Sequence, residues 1–531
     1  MTRSLPRRLS LSAIMLALVA SGCTSRVGED AERELPYEQS AGPAGEVPPE
    51  LEEFYAQTLT WEKCADYATG EFDSQPLADP AVECTRLSVP LDYADPSGET
   101  IRIGVLRRSA GDESERIGSL MVNPGGPGVA GLSTAASLAA ENEDLADRFD
   151  FVGFDPRGVG SSEPTISCVT GEERDADRAD DSELDASPAG VARAEQENRD
   201  YAANCEQRTE FGSDMLANLG TRDVVKDMDV LRSALGDEKL NYVGFSYGTR
   251  IGSTYAETFP DSVRAMVLDG AVDPNKDPVE EVVAQGKGFQ EAFDDFVTWC
   301  LDQQDCPFTS ASSANADYQS LVRPLAESPI DVGDGRPLSY EDATTGTVQA
   351  LYSEQLWDHL QTGLNELRQH RGDTLMMLAD LYLERSTDGE YTTTQDAFVA
   401  IRCVDDPRVT DPAKVAEVNE RYKAAAPFLD DGNPPSTARD SCAFWPVPNT
   451  GQPHLPQVEG VPPILVISTT GDPATPYQAG VSLAKALNGA LLTFEATQHT
   501  VFLQGNPCVD EAGTDYLTDG TLPSEGTRCQ P

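Results

Sequence analysis

The stretch of sequence that decides the fold is residues 240–252, LNYVGFSYGTRIG. It begins as a run of apolar residues typical of a buried strand and continues as a pattern typical of a helix. Between the two, Gly244, Ser246 and Gly248 form the pattern G-x-S-x-G. A serine at a sharp turn from strand to helix exposes its hydroxyl on a strained backbone, and small residues on either side let neighbouring backbone pass closely. We therefore predict that Ser246 is a nucleophile.

Short apolar runs that resemble strands lie on both sides of this motif and alternate with helical patterns. Such alternation indicates a mainly parallel sheet with helices on both faces. Between residues 270 and 462 the pattern of apolar residues changes, and segments such as 282–304 and 345–370 have apolar residues at helical spacing. We expect an inserted, mainly helical lid between two strands of the sheet. The predicted units are an export signal (1–22), a flexible tether rich in Pro and Gly (23–50), the N-terminal part of the core (51–275), the lid (276–440) and the C-terminal part of the core (441–531).

A nucleophilic serine needs a histidine as its base and a carboxylate that fixes the tautomer of that histidine. His499 follows the last strand-like run, ALLTFEAT, and Asp472 follows the run before it. The order Ser246, Asp472, His499 is the one expected for the α/β-hydrolase fold. Asp269, at the end of VRAMVLDG, is a rival acid. The other histidines occur in lid helices or in a proline-rich connection, and we expect them at the surface: His359, His370 and His454.

Acyl transfer also needs hydrogen-bond donors for the oxyanion of the tetrahedral intermediate. One expected donor is the backbone N–H of Tyr247, directly after the nucleophile. The other should come from the loop after an early strand, and residues 120–131, LMVNPGGPGVAG, supply such a loop. We choose Gly126 as this second donor.

The balance of charge excludes some classes of partner. The chain has 39 basic and 90 acidic residues, a formal net charge of −51. Such a surface repels phosphate backbones and anionic headgroups, so we expect no nucleic-acid partner. Because the chain has no CxxC pair and only four histidines, we expect neither a metal site nor another cofactor.

The N-terminal residues predict export. Arg3, Arg7 and Arg8 precede the apolar run LSAIMLALVA, which is too short to span a membrane. The following LVASGC resembles a lipobox, which would make Cys23 the lipid-carrying first residue of a mature lipoprotein. Plain secretion after cleavage nearby is the alternative.

Removing Cys23 from the 11 cysteines leaves ten. An even number outside the cytosol indicates disulfides rather than free thiols. Ten cysteines permit many connectivities, and proximity along the chain is a weak guide. On that guide we expect the pairs Cys64–Cys84, Cys168–Cys205, Cys300–Cys306, Cys403–Cys442 and Cys508–Cys529.

Several motifs together carry a more specific resemblance: NPGGPG, DPRGVGSS, GFSYGTRIG, GDPATP and QHT, with LSVPLDY, AIRCVDD and the C-terminal unit. The chain resembles the proline iminopeptidase branch of the α/β-hydrolases, and within it the secreted actinobacterial tripeptidyl aminopeptidases. The resemblance implies a serine exopeptidase that removes short peptides from a free N-terminus beneath a helical cap. Pro124 stands where the iminopeptidases have His, which puts fine specificity in doubt and leaves the oxyanion glycines in place.

A free N-terminus is an ammonium group and needs an anionic pocket at a fixed distance from the nucleophile. Asp405 and Asp406 in the lid are candidates for this role, with solvated loop acids as the alternative interpretation. The expected partner is a peptide or a small ester, and membrane contact would occur through the lipid anchor alone. A secreted carboxylesterase or lipase with the same triad, or an inactive binding protein on the same scaffold, are alternative functions.

Overall fold

The computed structural model describes residues 35–531. The expected export signal, Cys23 and the first part of the expected tether lie outside the described residues. Within residues 35–531 no helix combines the length and the apolar character needed to cross a bilayer.

Eleven strands form one sheet in the order β1-β2-β3-β4-β6-β5-β7-β8-β11-β12-β13, and β9 and β10 form a separate hairpin. The strands are β1 Tyr37–Gln39, β2 Leu59–Lys63, β3 Val82–Pro90, β4 Thr100–Arg108, β5 Gly118–Asn123, β6 Phe149–Phe154, β7 Leu240–Phe245, β8 Val263–Asp269, β9 Ile330–Asp331, β10 Pro337–Leu338, β11 Leu465–Thr469, β12 Ala490–Phe494 and β13 Arg528–Cys529.

The α-helices connect and cover these strands. They are α1 Glu52–Tyr55, α2 Glu71–Ser74, α3 Leu132–Glu141, α4 Glu143–Ala146, α5 Gly171–Arg178, α6 Pro188–Arg208, α7 Ser213–Ala217, α8 Thr221–Ala234, α9 Gly248–Thr258, α10 Pro278–Leu301, α11 Ala314–Val322, α12 Tyr340–Leu351, α13 Trp357–Leu367, α14 Asp373–Leu383, α15 Thr394–Asp405, α16 Pro412–Ala425, α17 Tyr477–Ala486 and α18 Pro507–Asp519.

The sheet is mainly parallel, as the alternating pattern predicts. From β6 through β5, β7, β8, β11 and β12 to β13 every neighbouring pair is parallel, and the first four strands add antiparallel pairs. Strands β5, β6 and β7 are buried along their whole length because helices cover both faces. The carboxyl ends of β5, β7, β8, β11 and β12 therefore meet at one edge of the sheet, which is where ligands bind in such folds.

The expectation of a flexible tether as far as residue 50 is wrong for its last part. Residues 37–39 pair with β2, and the Tyr37 hydroxyl donates to both carboxylate oxygens of Glu83 at 2.9 and 3.0 Å. Further along, the Ala44 N–H donates to the Ser233 hydroxyl. Three residues of strand produce no periodic signal, so the polar composition concealed an edge strand that is held by tertiary contacts.

The chain between β8 and β11 is mainly helical and has an apolar core of its own. Phe293 of α10 is at its centre, stacked on Phe428 at 4.6 Å between ring centroids. Residues 171–208, which we expected in the core, also pack against this insert. Ion pairs join them to it: Arg178–Asp342, Asp175–Arg385 and Glu195–Arg439. The structure that covers the sheet is therefore assembled from two separate parts of the sequence, the insert and residues 171–208.

All five expected disulfides are present: Cys64–Cys84, Cys168–Cys205, Cys300–Cys306, Cys403–Cys442 and Cys508–Cys529. Their sequence separations run from 6 to 39 residues, so each closes a loop within one region of the chain. Five disulfides indicate an extracytoplasmic protein, because reducing compartments disfavour them.

Candidate active site

Ser246 occupies the turn between β7 and α9, as the motif predicts. Its φ of 54° lies in the left-handed region, where a residue with a side chain is strained. The Ser246 N–H donates to the main-chain oxygen of Asp269 on the neighbouring strand, at 2.9 Å. A Cβ atom on Gly248 would lie 2.8 Å from the main-chain oxygen of Asn123, so this position accepts glycine alone without displacing backbone. The turn is thus strained, tightly packed and fixed from two sides.

The loop after β5 packs directly against this turn. Gly125 and Gly126 have φ values of 98° and 100°, which glycine adopts at low cost. A Cβ atom on Gly125 would lie 2.9 Å from the Tyr247 nitrogen. Within residues 35–531, neither the Gly126 N–H nor the Tyr247 N–H donates a hydrogen bond. Both expected oxyanion donors lie on the wall of the cavity that contains Ser246, as does Pro124.

His499 and Asp472 lie side by side on the loops after β12 and β11. The His499 Nδ1 is 2.9 Å from both carboxylate oxygens of Asp472. The Asp472 carboxylate is fully buried and also accepts from the Thr475 N–H and hydroxyl, each at 2.8 Å. The Thr475 hydroxyl lies 3.3 Å from the same histidine nitrogen. This arrangement fixes one tautomer of His499, with Nδ1 facing the acid and Nε2 free for the cavity.

The electrostatic surroundings of His499 stabilise its charged form. Burial by itself lowers the pKa of the imidazole, but the charge of Asp472 and its hydrogen bond outweigh burial, and Asp269 adds to them. The net result is a raised pKa. Asp269, the rival acid, does not bind the imidazole; its carboxylate accepts from the Val501 and Phe502 N–H groups.

The cavity above Ser246 has a volume of about 430 Å³ and lies between the sheet and the insert. Ser246 and His499 line its floor, and helices α10, α12, α14, α15 and α16 contribute its roof. Tyr352, just after α12, packs edge-on against the His499 ring with 5.4 Å between centroids, and its main-chain oxygen accepts from the main-chain N–H of His499. The insert therefore contacts His499 directly.

Three carboxylates and two guanidinium groups line this cavity. Asp406 is paired with both cations, at 2.7 Å from Arg250 and 3.4 Å from Arg402. Glu384 accepts from the hydroxyl groups of Thr392 and Thr394. Burial raises the pKa of Glu384 against the effect of those hydrogen bonds.

Glu281 is the remaining carboxylate of the cavity. Its side chain forms no hydrogen bond or ion pair with any residue of 35–531, and burial raises its pKa, with Arg402 opposing. Sequence reasoning missed this residue. A signal was available, because Glu281, Gln285 and Phe289 recur at every fourth position of α10 and all three line the cavity.

The two lid carboxylates singled out from the sequence have different surroundings. Asp406 lines the cavity, whereas Asp405 lies outside its lining and is 3% exposed. Asp405 accepts from the Thr221 N–H and hydroxyl and, at 2.5 Å, from the Tyr247 hydroxyl. With its lone pairs directed at these donors, Asp405 fits a role in holding the insert to the nucleophile turn better than the expected role in binding a substrate amine.

Among residues 35–531 no group of three or more His, Cys, Asp or Glu side chains is arranged to hold a metal ion. The other histidines are exposed: His359, His370 and His454. His454 is 2.9 Å from Glu257, away from Ser246.

The comparison with known families identifies this fold. Residues 118–506 match the alpha/beta hydrolase fold family. The chain belongs to this family. The α/β-hydrolase core accounts for the parallel sheet, the nucleophile turn and the position of the His–Asp pair.

This α/β hydrolase is similar in sequence to three relatives whose names state an activity. It is 48% identical to serine protease Hip1 of Mycobacterium tuberculosis over 84% of this chain and 87% of that one. It is 45% identical to carboxylesterase B of the same organism over 90% and 91% of the two chains. It is 31% identical to tripeptidyl aminopeptidase of Streptomyces coelicolor over 89% and 86%. These relatives and the family together establish a serine hydrolase of the peptidase type.

Proposed function

We propose that this protein is an exported serine exopeptidase that removes short peptides, of the tripeptidyl type, from free N-termini through an acyl-enzyme on Ser246. The proposal assigns Ser246 as nucleophile, His499 as base, Asp472 as the orienting acid, and the Gly126 and Tyr247 N–H groups as the oxyanion hole. The observation that supports an exopeptidase is the carboxylate of Glu281, which lies in the same cavity as Ser246 and has no hydrogen-bond or ion-pair partner in residues 35–531.

The reaction follows from this geometry. His499 takes the hydroxyl proton of Ser246 as the oxygen attacks the scissile carbonyl, and Asp472 stabilises the resulting imidazolium. The two free N–H groups receive the oxyanion. The imidazolium then gives its proton to the leaving amine, and water hydrolyses the ester in a second cycle of the same groups.

The proposed triad is tested by substitution. Ser246→Ala and His499→Ala should each lower kcat by about 10⁴-fold or more, and Asp472→Asn by a similar or somewhat smaller factor. A serine-directed phosphonate should label Ser246. Turnover by a correctly folded Ser246→Ala protein would refute this mechanism.

A substrate with a free N-terminus brings a positive charge into the cavity. In the part of the chain that the structure describes, both arginines of the cavity pair with Asp406, Glu281 has no hydrogen-bond or ion-pair partner, and Glu384 receives hydroxyl donors alone. An ammonium group would supply the missing partner of Glu281 and lower the cost of its partial burial. A cavity of about 430 Å³ closed by the insert accommodates a short peptide segment, since small-ligand sites span roughly 300–1000 Å³.

The test of this assignment is Glu281→Gln, with Glu280→Gln as the matched control on the same helix. Glu280 is exposed and paired with Arg421 outside the cavity. Glu281→Gln should lower kcat/KM for free-amino tripeptidyl arylamides by about 10- to 100-fold, the effect of losing one partly buried charged partner. Hydrolysis of a small activated ester should change little, and Glu280→Gln should behave as the unmodified enzyme.

Acetylated peptides complete the experiment. The unmodified enzyme should cleave them much more slowly than free peptides, and Glu281→Gln should narrow that difference. Equal cleavage of both by the unmodified enzyme would favour an endopeptidase or the second candidate, a carboxylesterase. The name of one relative at 45% identity supports that second candidate, and a higher kcat/KM for esters than for arylamides would establish it.

We also propose that the protein is anchored outside the cytoplasm by a lipid on Cys23. The arginines, apolar run and LVASGC at residues 3–23 support this, as do the five disulfides. Mass spectrometry of the mature N-terminus should find a lipid-modified Cys23, and Cys23→Ser should move the enzyme from the membrane fraction to the medium. An unmodified N-terminus elsewhere would show plain secretion instead.

A further inference from the structure

Asp269 connects two parts of the site that are distant in sequence. It ends β8, next to the strand that leads to Ser246, and its side chain is completely buried. Its main-chain oxygen accepts from the Ser246 N–H at 2.9 Å. The position of Asp269 along β8 therefore determines where the nucleophile turn is held.

The side chain of the same residue holds the turn that carries His499. Its Oδ2 accepts from the Val501 and Phe502 N–H groups at 2.6 and 2.7 Å. Thr500 between them and His499 has a φ of 61°, a strained value for a residue with a branched side chain. Such a conformation persists where the surroundings impose it, and the carboxylate of Asp269 supplies that constraint.

The other oxygen of Asp269 is buried and has no hydrogen-bond partner among residues 35–531. The pKa of Asp269 is raised to about 6: burial and the charge of Asp472 raise it, while the N–H groups of Phe502 and Val501 and the charge of His499 lower it. Burying a carboxylate with one unsatisfied oxygen costs folding free energy. The two N–H groups alone do not explain why this residue is an acid, because the oxygen of an asparagine amide could accept both hydrogen bonds.

We propose that Asp269 is a positioning residue of the reaction: it fixes the His499 turn relative to Ser246, and its charge adds to that of Asp472 beside the imidazole. The inference rests on the proposed triad and is independent of peptide specificity. His499 acquires a positive charge as it takes the serine proton. Asp472 then stabilises this charge through a hydrogen bond to the imidazole, and Asp269 stabilises it through its charge alone.

Other titratable groups also face His499 and belong in the prediction. Asp472 contacts it from the loop after β11, and Tyr352 packs on it from the insert. The remaining charged groups lie across the cavity: Glu281, Glu384, Asp406, Arg250 and Arg402. All of these are unchanged by substitution of Asp269.

The experiment compares Asp269→Asn, Asp269→Ala and a matched control, Asp155→Asn. The asparagine at 269 keeps an acceptor for the two N–H groups and removes the charge. Asp155 is a similar residue elsewhere: it follows β6, is 2% exposed, accepts from the Gly131, Leu132 and Ser161 N–H groups, and burial raises its pKa to about 6. Rates on a small activated ester are expressed per active site titrated with a phosphonate, so that misfolded protein does not contribute.

Asp269→Ala should lower kcat by about 100-fold, the effect of a catalytic group displaced by roughly 1 Å. Asp269→Asn should lose at most about tenfold, a small part of what general-base catalysis contributes. Because His499 loses an anion that raises its pKa, the acidic limb of the kcat/KM profile should move to lower pH in Asp269→Asn. The same limb should not move in Asp155→Asn.

An acidic limb of Asp269→Asn that coincides with that of the unmodified enzyme would overturn the inference, as would unchanged kcat in Asp269→Ala. Failure of Asp269→Ala to fold leaves the pH profile of Asp269→Asn as the deciding measurement. Absence of phosphonate on Ser246 in the unmodified enzyme would remove the triad and this inference together. Equal cleavage of acetylated and free peptides would refute the exopeptidase and leave Asp269 in its role.

Discussion

Replacing Asp405 tests whether this residue holds the site together or binds the substrate. Its carboxylate joins the end of α15 in the insert to Thr221 at the start of α8 and to the hydroxyl of Tyr247, the residue after the nucleophile. The Asp405→Ala substitution removes this junction, and Asp405→Asn removes its charge while keeping one acceptor. We expect loss of stability in both, larger for alanine.

The magnitude follows from the donors left behind. The Thr221 hydroxyl lies 3.2 Å from the Tyr247 hydroxyl and can turn to it. The Thr221 N–H and the Tyr247 hydroxyl keep no acceptor, and each buried unsatisfied donor costs about 1–3 kcal/mol. With two such donors, Asp405→Ala should lower the free energy of unfolding by about 2–6 kcal/mol, a range that includes the cost of breaking other buried networks.

The assay pairs urea unfolding, with the disulfides intact, with kcat/KM on an ester and on a free-amino arylamide. Because Tyr247 is a proposed oxyanion donor, any loss of activity should affect both substrates to the same degree. Unchanged stability in Asp405→Asn together with a selective loss of free-amino peptide cleavage would refute this reasoning. That outcome would restore Asp405 to the amine-binding role that the sequence suggested.

Two further predictions concern the disulfides and the pH profile. Removing Cys403–Cys442, which spans 39 residues, should lower the free energy of unfolding by about 4 kcal/mol. Removing Cys300–Cys306, which spans 6 residues, should lower it by about 2 kcal/mol; equal losses in urea unfolding would contradict the loop-length argument. Because Asp472 raises the pKa of His499 and the base must be neutral, kcat/KM should fall on the acid side with a midpoint above 6.5, the ordinary value for His; a midpoint below it would contradict this.

The parts of the site that the sequence predicts are those encoded locally. The strained serine turn, the order of Ser246, Asp472 and His499, and the two glycines after β5 each depend on a short motif at the end of a strand. A parallel sheet brings such strand ends to one edge, so the topology itself assembles them. The five disulfides were also local, since each joins cysteines that are near in sequence.

The parts that the sequence does not predict depend on how the insert packs. Whether Asp405 or Asp406 faces the cavity is decided where the backbone leaves α15: Asp405 is the last helical residue and Asp406 has an extended conformation. Glu281 is one of 90 acidic residues, and its lack of a partner is visible only when the groups around it are known. The packing of residues 171–208 on the insert is not predicted for the same reason. It depends on ion pairs between segments that lie some 160 to 240 residues apart in the sequence.

The insert contacts the proposed site at two points, at His499 and at Tyr247. The Tyr352 ring packs against His499, and the Tyr352 main-chain oxygen accepts from the His499 main-chain N–H. Asp405 accepts from the hydroxyl of Tyr247, which follows Ser246. A lid that opened as a rigid body would have to break these contacts and would disturb the histidine and the oxyanion donor together. Substrate access through movement of the whole insert would therefore cost the enzyme its assembled site at each turnover. Entry between the helices that line the cavity would avoid this cost, and under the proposed exopeptidase function it would also restrict the substrate to narrow chain ends.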